Sequence, residues 1–372
     1  MIEQTQLFFW MLICIIAAGL VFSARAFSFI DKNNESRVSQ IDGLRFLLAS
    51  LVLFHHYILS YFYFNGKDWA LAAISDYPIN QKIGGIGVAL FFMISGYIFA
   101  NIKIVSWPKF YVKRLLRIAP LLTLSSLLCL LIAAWIQRNN IEMSDIFMKA
   151  YLWFDAGIYG NKPDVFGMTN VSLINAATPW TLFWEWGFYF SLPWVFLLRD
   201  RAKPFVLSFS ALFFCMYVLT NWNTRNAILI SFFAIGFLAK EMSMQFQLKK
   251  THCNIGIIAA ILLSFAIKAD AYQLYCVPVI ALIFIMIAMG GDVFRLLRLK
   301  GFIRLGDVSY SIYLLHGIFW FCLNHYIKSH SIILTTTEYI TISSVVFFLI
   351  LLISTLTYRF IERPFIDISR RL

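Results

Sequence analysis

Apolar runs near or above the ~18–20 residues needed to cross ~30 Å of hydrocarbon recur from end to end of the chain. Short polar or basic connections separate them. Hydropathy and breaker residues predict spans at roughly 7–27, 41–63, 83–101, 115–136, 178–198, 204–220, 226–240, 253–268, 271–289, 306–325 and 337–358, the seventh and eighth being short. A transmembrane β-barrel would show segments of ~10 residues alternating apolar and polar, and no such alternation is present. The expected fold is all-α, a polytopic transmembrane helical bundle of about 11 spans.

The connections assign an orientation. With the N-terminus outside, the inner loops carry Arg25, Lys32 and Arg37; Lys103, Lys109, Lys113 and Arg114; Arg199, Arg201 and Lys203; Lys249 and Lys250; Arg295, Arg298, Lys300 and Arg304; and Arg370 with Arg371. The outer loops hold Lys67, Lys82, Arg138, Lys149, Lys162, Arg225, Lys268 and Lys328. The positive-inside rule therefore predicts an N-out/C-in topology. The run 7–21 follows a start that has Glu3 and no Lys or Arg. It reads as an uncleaved span, because a signal peptide carries a basic n-region.

Composition agrees. Of 372 residues 60% are hydrophobic and 13% charged, with a mean hydropathy of +0.76. The net charge of +12 sits in short loops, so it points to membrane lipids and cytoplasmic faces and not to nucleic acid. Cys14, Cys129, Cys215, Cys253, Cys276 and Cys322 form no C-x-x-C and fall mostly within or beside apolar runs. They read as small packing residues rather than disulfides or metal ligands.

An ionisable residue inside a membrane is costly and is a functional candidate by default. In the second span Arg45 and His56 are eleven residues apart, which puts both on one helical stripe, ~16 Å apart along the axis. His55 lies ~100° away and serves another purpose. The alternative for His56 is a structural histidine hydrogen-bonded inside the bundle. In the fifth span Glu185 is expected ~10 Å below the outer face, level with His56, where it would orient the imidazole; the alternative is a structural partner elsewhere. Arg114 and Arg117, three apart at the start of the fourth span, share a face that suits phosphate or anchors to lipid headgroups.

The third span carries Gly84, Gly85, Gly87, Ser95 and Gly96, a composition that lets helices approach closely. His316, on a polar helix that also holds Tyr310, falls near mid-membrane as a site residue or a core hydrogen bond. Glu362 and Arg363 before Pro364 read as a structural clamp, with the proline ending the last helix. The long outer connection, roughly 137–177, mixes amides and glycines with Trp153, Phe154, Tyr159 and Phe166; it suits sugar contact or interfacial anchoring. No Walker A, G-x-S-x-G, H-E-x-x-H or dinucleotide fingerprint competes.

Together these segments resemble the acyltransferase family 3 membrane proteins. The resemblance runs from about residue 40 to 366. It takes in Arg-x10-His (Arg45, His56), Gly-x3-Phe-Phe-x2-Ser-Gly (Gly87, Phe91, Phe92, Ser95, Gly96) and Arg-x2-Arg (Arg114, Arg117). A Trp-Ser/Thr-Leu-x2-Glu-like segment follows (Trp180, Thr181, Leu182, Glu185, Tyr189), then Ser-Tyr-Ser-x-Tyr-Leu-x-His ending at His316, and Glu-Arg-Pro at Glu362. Each motif alone is weak; their order and spacing make the signal. Two departures stand out. Trp186 and Gly187 replace the second acid and the Gln that often follow the glutamate, and the first span lies outside the usual core of about ten.

The resemblance implies three regions: 1–36, an extra N-terminal span and inner loop; 37–366, the acyltransferase-like membrane domain; and 367–372, a short cytoplasmic tail. A fused esterase-like domain, as in some relatives, is not expected, so transfer would finish within the membrane domain or pass to a separate partner. The implied activity is O-acyl transfer, in particular O-acetyl transfer, from cytoplasmic acyl-CoA to a hydroxyl of a cell-surface or secreted glycan, such as a polysaccharide, lipopolysaccharide or lipid-linked glycan. The implied setting is a bacterial inner membrane. Acyl-CoA, with acetyl-CoA foremost, would be the co-substrate, and no metal is implied. His56 would act as general base or transient acyl carrier with Glu185 beside it, and Arg45, Arg114 and Arg117 near the donor phosphates; Ser95, Tyr310 and His316 are further candidates. The rival reading is a transporter or exporter of a glycolipid or organic anion. It would favour inverted halves with broken helices, and no such symmetry is visible.

Overall fold

A computed structural model of the chain describes residues 3–31, 38–101, 106–139, 141, 144, 148–199, 212, 221, 224–267 and 269–372. The sixth predicted span (204–220, Leu212 excepted), Lys32, Arg37, Lys103, Asn140, Arg201, Lys203, Cys215 and Lys268 lie outside them. The described residues form α-helices, short 3-10 turns and one isolated β-bridge. In chain order the helices are α1 (Gln4–Val21), α2 (Ser39–Phe64), α3 (Pro78–Phe99), α4 (Trp107–Ile136), α5 (Trp180–Arg199) and α6 (Thr224–Gln245). They continue with α7 (Lys250–Ala266), α8 (Val277–Ala288), α9 (Lys300–Asp307), α10 (Ser309–Ser329), α11 (Thr336–Thr357) and α12 (Arg363–Arg371).

Among the described residues, six segments are long and apolar enough to cross a membrane by length and composition: α1, α2, α3, α4, α6 and the run through α11 and α12. The shorter α7 and α8 are also apolar. The other predicted spans, at 178–198 and 306–325, coincide with α5 and α10.

α2 sits centrally, packed on α3, α9 and α10, and α3 in turn packs on α6. Glycines make these approaches possible. A Cβ at Gly306 would stand 1.9 Å from the Asp42 carbonyl oxygen of α2, and one at Gly96 would stand 2.1 Å from that of Phe233 on α6. The glycines of the third span thus serve close helix packing, as their composition suggests.

α1 is a working part of the bundle. Gln4 donates to Asn80 at 3.1 Å and accepts from the Ile79 amide. Trp10 donates to Ser344 at 2.8 Å. At the other end of α1, Arg304 donates to the carbonyls of Phe22 and Ala24 and, with two nitrogens, to the Asp31 carboxylate at 2.7 and 2.9 Å. Four cysteines are buried and free, as packing residues would be, while Cys322 is free and exposed.

One expectation needs correction. Pro364 does not end a helix: α11 passes through a π-helical turn, Tyr358–Glu362, into α12, and Pro364 occupies the first turn of α12, where its missing N–H costs nothing. Residues 367–371, within the expected short tail, form the second half of that helix. The connection before α5 is also compact. Trp153 is fully buried and donates to the Pro163 carbonyl. Residues Val171–Asn175 form a 3-10 turn framed by left-handed Asn170, Ala176 and Ala177. This turn dips against α10, where a Cβ on Gly317 would meet the Asn175 backbone at 2.3 Å.

Candidate active site

His55 and His56 do different work, as their ~100° separation requires. His55 is buried and its Nδ1 donates to the Asn80 carbonyl at 2.6 Å. Its ring fills the space left by Gly84, where a Cβ would lie 2.5 Å away. His55 therefore ties α2 to α3.

His56 faces α10. Its Nδ1 lies 2.9 Å from Nε2 of His316, with the ring planes 17° apart. His316 is fully buried, and its Nδ1 lies 3.0 Å from the Ile312 carbonyl. A carbonyl oxygen only accepts, so Nδ1 of His316 carries a proton. With both rings neutral, His316 Nε2 then accepts from His56 Nδ1–H, and the free lone pair of the pair falls on His56 Nε2. The chain Ile312–His316–His56 thus sets the tautomer that a base or nucleophile needs. Trp69, in the connection after α2, lies nearly parallel to the His56 ring (21°), with ring centres 6.0 Å apart. The sequence reasoning missed it; the signal was a tryptophan in the polar stretch Asn65-Gly66-Lys67-Asp68-Trp69 directly after the histidine span.

Towards the arginine-rich end, a cavity of about 490 Å³ is lined by six of the predicted site residues: Arg45, Ser95, Arg114, Arg117, Glu185 and Tyr310. Tyr313 and Thr181 also line it, with their hydroxyls 3.0 Å apart. His316 is one turn further along α10, its ring centre 6.2 Å from that of Tyr313. The histidine pair therefore stands past the Tyr313–Thr181 contact.

Glu185 is not where the sequence put it. α5 runs antiparallel to α10, and Thr181 meets Tyr313. Glu185 is then ~6 Å below that level and His316 ~4.5 Å above it, from the helical rise. The Glu185 carboxylate accepts from the Tyr189 hydroxyl, and His316 takes the place beside His56. The turn before α5 packs against α10 and Thr178 is already fully buried there, so four residues past Thr181 the carboxylate stands among the arginine-rich cavity residues.

The two arginines of α4 share the cavity but not their surroundings. Arg117 pairs with Glu362 at 2.5 Å and lies over the Tyr310 ring. Glu362 is buried and also accepts from Ser311, so it is the expected clamp; Arg363 donates to the Phe29 carbonyl at 2.7 Å. Arg114 lies over Phe99, Phe110 and Tyr189, at 5.2, 5.5 and 5.8 Å, and its buried Nε has no hydrogen-bond partner. Tyr310 donates to the Ile118 carbonyl at 2.9 Å, which fixes α10 against α4.

No curated protein and no solved structure matches the chain. A family model described as an acyltransferase domain matches residues 38–359. The match begins one residue before α2 and takes in the histidine pair and the six predicted residues of the cavity, leaving α1 and α12 outside. Its extent over most of the chain and the apolar helices of the bundle agree on the class: the protein belongs to acyltransferase family 3 and is a membrane acyltransferase.

Proposed function

We propose that the protein is a membrane O-acyltransferase, specifically an O-acetyltransferase, that moves the acyl group of cytoplasmic acyl-CoA to a hydroxyl of a cell-surface or secreted glycan. One observation carries this reading: a cation-lined cavity at one end of the bundle reaches Tyr313, and the ring of His316, which sets the free ring nitrogen of His56, lies 6.2 Å beyond it. In the proposed topology the chain has about eleven spans, N-out/C-in, in a bacterial inner membrane. The arginine-rich end then faces the cytoplasm, where acyl-CoA is found, and His56 stands in the outer half.

In the direct reaction, His56 Nε2 takes the proton of the acceptor hydroxyl as its oxygen attacks the thioester carbonyl carbon. The C–S bond breaks, and the CoA thiolate leaves and is protonated. The Nδ1–H bond to His316 holds the ring in place while it carries charge. In a two-step variant Nε2 itself takes the acyl group and passes it to the hydroxyl. Arg45, Arg114 and Arg117 supply positive potential along the donor path, and Glu185 with Tyr189 lines the same cavity.

The test is mass spectrometry of surface and secreted glycans from a host with and without the protein. Loss of one defined acyl mass, restored by wild type but not by His56→Ala at equal protein level, supports the reading. No change in any glycan overturns the glycan acceptor and turns attention to transport.

A further inference from the structure

α12 lies beyond the matched acyltransferase domain, yet it builds part of the cavity. Ile366, Ser369 and Arg370 line it; spaced i, i+3 and i+4, they share one helical face. Phe365, Ile368 and Leu372 fall on the opposite side and are exposed, as in a helix lying at a membrane surface with its apolar stripe in lipid. α12 packs along α4, and the Lys109 ammonium donates to the Leu372 carbonyl at 3.1 Å. The helix is held with one face towards the cavity.

The charges differ in availability. The Arg117 guanidinium is engaged by Glu362, and Arg114 sits among aromatic rings. Among the described residues Arg370 meets only Asp367, 3.4 Å away with both side chains about half exposed. Such a pair is worth little and yields to a stronger anion. Lys113 lines the same cavity. A polyanion in this cavity would therefore meet Arg370 and Lys113 as its freest cations.

We propose that Arg370 binds the phosphate groups of the acyl donor, so that α12 completes the donor site with Lys113 and Arg114. The proposal rests on acyl-CoA being the donor. An anionic lipid headgroup offers the same phosphate chemistry, so the test is run on the full chain in nanodiscs of purely zwitterionic lipid, with CoA as titrant and calorimetry as readout. Arg370→Ala is expected to weaken CoA binding about tenfold and to flatten its salt dependence. Arg370→Gln, which keeps the length and helix preference, should lose as much, Arg370→Lys should recover part, and Arg371→Ala should bind as wild type. Wild-type affinity in Arg370→Ala or Arg370→Gln overturns the proposal and leaves the donor reading standing. The same holds if Arg370→Ala changes only the retention of the chain on anionic vesicles. Failure of the wild-type chain to bind CoA overturns both.

Discussion

Nδ1 of His56 and Nε2 of His316 meet at 2.9 Å across the contact between α2 and α10. The two residues are 260 positions apart in the chain, and the Ile312 carbonyl behind His316 gives the contact a direction. His56→Ala should lower acyl transfer by ~10²–10⁴. His316→Ala should cost less, on the order of tenfold to a hundredfold, because it removes orientation rather than the base itself. His316→Gln, which keeps an acceptor, should retain more activity than His316→Ala. Rates and pH profiles of the three variants at matched protein level check this. Equal rates for His316→Ala and wild type would remove His316 from the mechanism.

Arg117 and Glu362 form an ion pair whose acid is buried. Removing one partner of such a pair costs ~3–5 kcal/mol, while replacing both by apolar residues is often neutral. Glu362→Gln should therefore sharply lower the unfolding temperature in detergent. The double variant Arg117→Met, Glu362→Leu should recover most of the stability but not donor binding. Additive losses in the double variant would show that the two residues stabilise the fold separately.

Gly306 lets α9 press on α2, and a methyl group there would overlap the Asp42 carbonyl. Gly306→Ala should destabilise the bundle by at least ~1–3 kcal/mol through forced backbone movement. Gly187→Ala, where a Cβ meets nothing within 4 Å, should leave stability unchanged or slightly raised. Thermal unfolding of the pair separates the two outcomes.

The carboxyl of Asp31 is held below its ordinary value of 3.8, chiefly by its hydrogen bonds to Arg304. A lowered folded-state value means the stabilisation is present above the unfolded carboxyl range. It is lost as pH falls through the folded one. Unfolding temperatures measured from pH 7 down to pH 3 should fall less steeply for Asp31→Asn than for wild type. Parallel curves would sink the linkage.

Much of the site was legible because it depends on local spacing. Arg45 and His56 share a stripe, Arg114 and Arg117 share a cavity, and Glu362 is a clamp; each follows from helical periodicity and the cost of charge in lipid. His316 was legible as a polar residue at depth, but its partner was not, since a contact across 260 residues leaves no periodic trace. The height of Glu185 failed for a different reason. Its level is set by the packing of residues 171–178 against α10, a long-range contact that spacing within α5 does not record. α12 was read as tail because its short amphipathic stretch carries no span-length apolar run.

The π-turn at Tyr358–Glu362 gives the α12 wall of the cavity a register of its own. A π-turn spends one more residue per turn than the α-helices on either side. Deleting a single residue there would let α11 run straight into α12 as one regular helix. Because the wide turn absorbs that residue, α12 would keep its phase; the same deletion within α11 would instead rotate everything downstream by about 100°, carrying Glu362 away from Arg117 and Arg370 away from the cavity in the same stroke. Insertions and deletions in the regular part of α11 are therefore far more disruptive than one at the turn, and the phase of the helix is itself a property that selection must keep.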